Sequence, residues 1–219
     1  MFSSIEEAIL EIQQGRMLIV LDDENRENEG DFIMPAQNIT PADVNFMATH
    51  GRGLICALIS ADIAYKLNLP LMVNNLEDSM QTAFTLSVDA KEGISTGISA
   101  YDRALTLKLL ASDHTKPEDL VRPGHIFPLI AKAGGVLSRA GHTEAAVDLA
   151  RMAGFSSAGV ICEILDKDGT AARVPYLEKL AKKHKLKMIT IESLIEFQMK
   201  HSLNPRGIYA NFNREFNLN

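Results

Sequence analysis

The feature that most constrains the fold is the alternation of short apolar runs with amphipathic helical segments along most of the chain. Apolar runs bounded by polar residues indicate buried strands, and apolar residues spaced three or four apart indicate helices. Such interleaving predicts an α+β fold in which helices pack in three layers on one mixed sheet, as a single domain. Strands are predicted at 17–21, 54–60, 82–88, 126–131, 158–164 and 187–190. Helices are predicted at 2–12, 41–49, 99–111, 145–152, 175–184 and 191–201.

The length of 219 residues and the apolar fraction of 46% suit one domain with a sizeable core. We expect that domain at residues 1–203. Residues 204–219 are rich in Asn and have little apolar periodicity, so we expect a loosely ordered tail there.

Charge and composition exclude several classes of protein. The net charge of −6 and the absence of a basic block argue against nucleic acid as a partner. No apolar run approaches the roughly 20 residues that cross a bilayer, and the first segment indicates an amphipathic helix rather than a signal peptide. Cys56 and Cys162 stand alone, without a CxxC pair, which fits the reducing cytoplasm. The sequence also lacks a Walker A loop, HExxH, GxSxG and a complete dinucleotide fingerprint.

The densest chemical signal is the stretch 22–31, which holds six carboxylates and Arg26 in ten residues. A solvated acidic loop is one interpretation. A calcium loop is another, but its closing Glu would fall at Ala36. The third is a site for a hard cation such as Mg²⁺ or Mn²⁺, in which Arg26 pairs with an anionic substrate group. The stretch begins where a predicted strand ends, which favours the third interpretation.

A second signal is the glycine-bearing loop 133–144, which runs into a predicted helix. Backbone N–H groups at a helix N-terminus bind anions, and Arg139 and Thr143 add side-chain donors for a phosphate. The alternative is an ordinary helix start capped by Thr143. His142 favours a functional site, because a neutral imidazole there could bind a metal.

Two further residues are candidates for proton transfer. Pro123 and Gly124 indicate a turn that would present His125 at a loop tip as a general acid or base, although a lone loop His is more often structural. Glu163 lies in the apolar run 159–165, where burial would raise its pKa towards a useful range. Strand alternation could instead point Glu163 to solvent.

Five stretches together resemble the 3,4-dihydroxy-2-butanone 4-phosphate synthase family. They are 21–31 with RENEGD, 93–103, 122–128, 134–144 with GGVLSRAGHTE, and 158–163. The resemblance runs in order from about residue 3 to residue 200. It implies conversion of ribulose 5-phosphate to 3,4-dihydroxy-2-butanone 4-phosphate and formate, which supplies the four-carbon unit of riboflavin. It also implies a lyase that needs Mg²⁺ or Mn²⁺, two ions per site, in a cytoplasmic homodimer whose sites lie near the subunit boundary.

The resemblance assigns roles residue by residue. Glu27 and His142 are implied as metal ligands, and His125 and Glu163 as the catalytic pair. Ser95 and Cys56 are expected to line the pocket. The implied substrate-binding residues are Arg26, Glu27, Asp31, Thr96, Arg139, Ala140, Gly141, His142, Thr143 and Glu163.

Two features of the chain bear on its expected form. The segment 75–84 departs from the family pattern, with Met80 and Gln81 at its centre, which puts gating of the substrate by this loop in doubt. Some relatives continue into a GTP cyclohydrolase II domain with cysteine zinc ligands. The short chain and its two cysteines favour a monofunctional form.

Overall fold

Seven strands form one sheet in the order β4-β5-β3-β6-β2-β1-β7. The computed structural model describes residues 2–77 and 80–202. The strands are β1 Leu18–Leu21, β2 Gly30–Pro35, β3 Cys56–Ile59, β4 Val88–Ala90, β5 Leu120–Ile130, β6 Ala158–Glu163 and β7 Lys187–Thr190. The helices are α1 Ile5–Gln13, α2 Pro41–Phe46, α3 Ala61–Lys66, α4 Ala100–Ala111, α5 His142–Met152, α6 Val174–His184 and α7 Ile191–Ser202. The predicted α+β fold with a mixed sheet is confirmed.

The sheet is mixed because β1 pairs with β7, and β3 with β5, in parallel, while the other pairings are antiparallel. Alternate residues along each strand point to opposite faces, so the sheet has two apolar faces and a core on each. One core includes Ile19, Phe32 and Val160 and is covered by α2, α4 and α6. The other includes Leu18, Ile33 and Ile161 and is covered by α1, α5 and α7. This is the predicted three-layer arrangement.

Local signals placed several helix starts correctly. Thr40 caps α2, and its hydroxyl accepts from the backbone N–H of Asp43 at 3.3 Å. Ser99 caps α4 by accepting from the N–H of Asp102 at 3.1 Å. The predicted helix to Thr49 instead ends at Phe46 and continues as one wider turn, Met47–Gly51.

Three elements differ from the secondary structure predicted from the sequence. Strand β2 was not predicted, because its apolar run, residues 32–34, is short and lies between Asp31 and Pro35. The short helix α3 was missed. The strand predicted at 82–88 forms only as β4, Val88–Ala90, which begins where that prediction ends.

The prediction of a loop tip at His125 is also wrong, because Arg122 to His125 lie inside β5. The register between β4 and β5 shifts between Val88 and Asp89, so these four residues have no partners in β4. Gly124 packs against the backbone of β4 so closely that a Cβ would collide with Val88. Pro123 and Gly124 therefore mark an irregularity within strand β5 and not a turn at a loop tip. Both residue types are tolerated at such irregularities.

The tail predicted at 204–219 lies outside the described residues. Within the described ranges, none of the helices has the length and apolar character that a bilayer span requires.

Candidate active site

The acidic stretch forms a loop between β1 and β2 that is organised from inside by Asp22. One oxygen of the buried Asp22 carboxylate accepts from the N–H of Glu29 at 2.8 Å. The other accepts from the N–H of Glu27 at 3.1 Å and from Arg26 Nη1 at 2.8 Å. Asp22 therefore holds the loop together by accepting three hydrogen bonds. The carboxylate of Glu27 instead faces His142.

His142, at the first position of α5, faces Glu27. Its Nδ1 lies 3.9 Å from Glu27 Oε2 and 3.7 Å from Asp31 Oδ2, and its ring is buried. Its other nitrogen, Nε2, lies 3.1 Å from the carbonyl oxygen of Val20. A carbonyl only accepts, so the proton sits on Nε2 in the neutral ring. The Nδ1 lone pair then points at the two carboxylates, as in a metal-binding histidine.

The donors present fit a hard divalent cation. One ligand atom each from Asp22, Glu27 and His142 lies within 4.8 Å of the others. The Oδ1 atom of Asp31, beneath them, is buried and has no hydrogen-bond partner. Carboxylate oxygens with one imidazole suit Mg²⁺ or Mn²⁺, and a bound cation would neutralise the negative charge of these carboxylates.

The charged groups of this cluster shift one another's pKa values. His142 and then Arg26 lower the pKa of Glu27 to about 2. Burial raises the pKa of Asp31 to about 7. Burial alone would lower the pKa of His142, but the carboxylates of Asp31, Glu27 and Asp22 raise it to about 9. Three acidic groups therefore surround one imidazole, in a position that attracts a cation.

Strand register places the carboxylates in one row across the sheet. Asp31 of β2 pairs with Glu163 of β6 and with Val20 of β1. Glu163 accepts from the backbone N–H of Leu54 through Oε2 at 2.7 Å. Directly paired residues share a face, so Asp31 and Glu163 both point towards α5. The solvent-facing alternative for Glu163 is wrong.

Arg139 is fixed beside the N-terminus of α5 by a buried carboxylate. Its Nη1 donates to Glu144 Oε2 at 2.7 Å, and its Nε and Nη2 donate to the carbonyl oxygen of Met80 at 3.2 and 3.0 Å. The N-cap of α5 is Gly141, which has no capping side chain, so Thr143 is not the cap. The first N–H groups of α5 are thus free of a side-chain cap, as an anion-binding helix start requires.

These groups enclose a cavity of about 180 Å³. Its lining comprises Arg26, Glu27, Glu29, Asp31, Cys56, Thr82, Phe84, Leu129, Arg139, His142, Thr143, Ile161 and Glu163. The cavity brings together eight of the predicted residues: Arg26, Glu27, Asp31, Cys56, Arg139, His142, Thr143 and Glu163. Thr82 and Phe84 also line a wider neighbouring cavity of about 710 Å³.

A second group lies outside that cavity, at the β4–β5 edge. His125 Nδ1 lies 2.6 Å from Asp89 Oδ2, and the His125 N–H donates to Asp89 Oδ1 at 2.9 Å. Thr96 belongs to the adjacent loop 93–99 and is exposed. Asp102 holds this loop by accepting from Ser95 Oγ at 2.7 Å and from the N–H of Gly97 at 3.0 Å.

The two groups lie on the same face of the sheet. Cys56 pairs with Phe127, and both contribute to the core on the face covered by α5. His125 lies two residues before Phe127 in β5, so strand alternation points it towards the same face.

Sequence reasoning did not assign a supporting role in the site to four residues. Asp22, Asp89, Asp102 and Glu144 are all buried polar residues. Each accepts hydrogen bonds that fix a predicted residue or its loop. Glu144 lies within the GHTE motif and could have been found there, whereas Asp89 gives no local signal.

Fold and site together define a class: an α+β protein with a candidate cation site of carboxylates and one imidazole beside a helix start that has no side-chain cap. The profile of the 3,4-dihydroxy-2-butanone 4-phosphate synthase family matches residues 6–197. The chain belongs to this family.

Similar proteins agree with that assignment. The riboflavin biosynthesis protein RibBA of Bacillus subtilis (strain 168) is 58% identical over 198 residues, which cover 90% of this chain and 50% of the relative. RibBA of Aquifex aeolicus is 57% identical over 201 residues, covering 91% of this chain and 50% of the relative. The chain thus spans about half the length of these relatives, and the predicted monofunctional form stays a prediction.

Two solved structures have the same fold. A 3,4-dihydroxy-2-butanone 4-phosphate synthase in complex with two magnesium ions superposes with a TM-score of 0.90 at 40% identity, covering 92% of this chain and 99% of that one. The two-domain synthase RibBX of A. baumannii gives a TM-score of 0.87 at 51% identity, covering 90% of this chain and 58% of that one.

Proposed function

We propose that this protein converts ribulose 5-phosphate to 3,4-dihydroxy-2-butanone 4-phosphate and formate in the cytoplasm, as a step in riboflavin biosynthesis. The observation that carries the proposal is the facing pair of Glu27 and His142. The Nδ1 atom of His142 and the Oε2 atom of Glu27 are 3.9 Å apart, and the buried Oδ1 atom of the neighbouring Asp31 has no hydrogen-bond partner. Family membership supports the reaction, and the cavity supplies groups for each part of the substrate.

Glu27 and His142 are the proposed ligands of Mg²⁺ or Mn²⁺, with two ions per site. The structurally similar synthase whose crystal structure contains two magnesium ions supports this number. A bound hard cation would polarise the oxygens of the sugar and make its C3 proton more acidic.

The phosphate is proposed to bind at the start of α5. Arg139 lies there, and the N–H groups of His142 and Thr143, in the first turn of α5, can donate to an anion. Ala140 belongs to the same turn. Arg26, already paired with Glu27 at 2.6 Å, lines the same cavity and is proposed to contact an anionic group of the substrate.

Glu163 and His125 are the proposed proton carriers. The reaction begins with loss of the C3 proton to give an enediol. Loss of the C1 hydroxyl as water, a shift that joins C3 to C5, and hydrolytic release of C4 as formate, which consumes one water, follow. Glu163 lines the cavity and has one oxygen, Oε1, with no hydrogen bond among those described, so it can accept a proton. Asp89 keeps the proton of neutral His125 on Nδ1, which leaves Nε2 free to act as a base.

We also propose a homodimer in which the group around His125 and Thr96 completes the site of the partner. The helices on this face pack mainly on β3, β6, β2, β1 and β7, whereas α4 covers β4 and β5 from the opposite side. Leu54 and Val121, beside His125 on the less covered part, are 44% and 40% exposed. A second copy could bury these apolar groups and bring the two clusters together.

The reaction is tested with ribulose 5-phosphate labelled with ¹³C at C4. Carbon NMR should show labelled formate and the unlabelled four-carbon phosphate, with turnover abolished by exhaustive chelation and restored by Mg²⁺ or Mn²⁺. An isomerase would rearrange the sugar and release no formate. A binding module would leave it unchanged. Full turnover after chelation would reject the metal assignment.

The shared site is tested by subunit exchange. Glu27→Gln and His125→Ala homodimers should each be inactive. If the site draws on both chains, a heterodimer has one site with both lesions and one with neither, so activity should reappear. Exchange shown by mass spectrometry without recovery would place both residues in one chain's site. A monomer at working concentration would also reject the proposal.

A further inference from the structure

Arg173 stands at a position that local helix chemistry does not favour. It is the N-cap of α6, and its side chain makes no capping hydrogen bond. Ser, Thr, Asp and Asn are preferred at this position, and a cation is unfavourable at the positive end of the helix dipole. Because Arg173 goes against both local preferences, we expect its side chain to make a tertiary contact that accounts for its position.

The side chain of Arg173 reaches the outer side of the acidic loop. Its Nη1 donates to the carbonyl oxygen of Glu27 at 3.1 Å and also to that of Asn28. Asn28 has a left-handed backbone, with φ of 55°. Arg173 therefore binds the two consecutive carbonyl groups at the point where the loop turns.

The same helix also packs against the base of the loop. Leu177, one turn after Arg173, is buried so close to Gly30 that a Cβ at Gly30 would lie 2.5 Å from Leu177 Cδ1. The first turns of α6 thus contact the loop at its apex and at its return into β2. Asp22 holds the loop from the inside, and α6 holds it from the outside.

We propose that Arg173 is a positioning residue for the metal ligand Glu27, which it holds through the main chain. The inference rests on the proposed function of Glu27 and deepens it. Six carboxylates within 22–31 repel one another, so the loop backbone needs a cation on the side away from the metal. Without Arg173 the Glu27 carboxylate is less well ordered towards His142, and metal binding must then order the loop itself.

The expected effect is on metal affinity more than on chemistry. Loss of a residue that supports a ligand typically weakens metal binding by about 10- to 100-fold. Because Arg173 acts through the backbone, we expect the dissociation constant for Mn²⁺ to rise about 10-fold. At saturating Mn²⁺ the maximal rate should fall much less than the affinity does.

Three variants separate this role from a general contribution to stability. Arg173→Met removes the donors, Arg173→Ser removes them but restores a preferred N-cap, and Arg173→Lys keeps a cationic donor. Arg16→Met is the matched control. Arg16 is likewise an exposed arginine, but it pairs with the side chain of Glu11 and precedes β1, at the end of that strand away from the acidic loop. Free Mn²⁺ is measured by EPR during titration of the full-length protein, and thermal unfolding is followed without metal.

The Ser variant should unfold at a higher temperature than the Met variant, yet both should bind Mn²⁺ about equally weakly. The Lys variant should recover part of the affinity, and Arg16→Met should bind like the parent. Unchanged Mn²⁺ affinity in the Met and Ser variants, or affinity that follows the unfolding temperature, would overturn the inference. A parent protein that binds Mn²⁺ but forms no formate would refute the proposed reaction alone, whereas a parent that binds no Mn²⁺ would refute both.

Discussion

Replacing Asp89 by Asn should disable His125 without removing either side chain from its place. The His125 N–H donates to Asp89 Oδ1, so the amide oxygen of Asn must keep that position. The amide nitrogen then faces His125 Nδ1, where a carboxylate oxygen lies at 2.6 Å in the parent. An amide N–H only donates, so Nδ1 must accept and the ring proton moves to Nε2. Neutral His125 can then no longer accept a proton at Nε2.

The expected loss follows from the contribution of one positioned base. General base catalysis is worth about 10²- to 10⁴-fold, and the Asp89→Asn variant should lose a factor in this range from kcat. That loss corresponds to about 3 to 5 kcal/mol in the barrier. The cost to folding should be smaller, about 1 kcal/mol, because His125 is 41% exposed and one hydrogen bond changes partner.

The assay combines formate release with ¹⁵N NMR of the histidine rings, which reports which nitrogen carries the proton. Asp43→Asn is the control and should leave kcat unchanged, because the Asp43 carboxylate only accepts from the N–H and hydroxyl of Thr40 at the start of α2, on the opposite face. A kcat of Asp89→Asn within about threefold of the parent, with the ring proton shown on Nε2, would refute the assignment of His125 as a base.

Three further substitutions test the cavity. Glu27→Gln should abolish measurable Mn²⁺ binding and turnover while the unfolding temperature without metal stays unchanged or rises; intact Mn²⁺ affinity with normal turnover would contradict its assignment as a ligand. Arg139→Ala should raise KM for ribulose 5-phosphate about 10- to 100-fold, the worth of one or two charged hydrogen bonds, and an unchanged KM would count against phosphate binding there. Asp31→Asn should stabilise the metal-free protein at pH 8 but not at pH 4. The folded pKa of about 7 exceeds the ordinary 3.8, so the unfolded chain releases this proton first and the carboxylate increasingly destabilises the fold as pH rises from about 4 to 7. Equal effects on urea unfolding at the two pH values would show that Asp31 is not the cause.

Local patterns in the sequence determined most helices and several strands. Thr40 and Ser99 mark the starts of α2 and α4 because a cap needs only the residue itself and the next three positions. The motifs at 26–31 and 134–144 likewise identified Glu27 and His142, which the structure places 3.9 Å apart. The helix caps can be read from the sequence because the residues involved are close together along the chain. The pairing of Glu27 with His142 was supplied by the resemblance to a family.

Strand register was decided only by the tertiary structure. The pairings of Asp31 with Glu163 and of Cys56 with Phe127 join strands that are distant along the chain. Periodicity shows which residues of a strand share a face, but it does not show which strand lies beside it or which residues are opposite. Strand β2 was missed for a different reason, since only residues 32–34 form an apolar run between Asp31 and Pro35, which is too short to be recognised as a strand.

The supporting contacts belong to the tertiary structure as well. Asp89 reaches His125 across 36 positions, and Arg173 reaches Glu27 across 146. A single sequence reports the chemical nature of each residue, so it could nominate carboxylates, imidazoles and arginines as candidates. Which of them face the substrate and which hold others in place depends on distances set by packing, because those contacts form only when the layers of the fold come together.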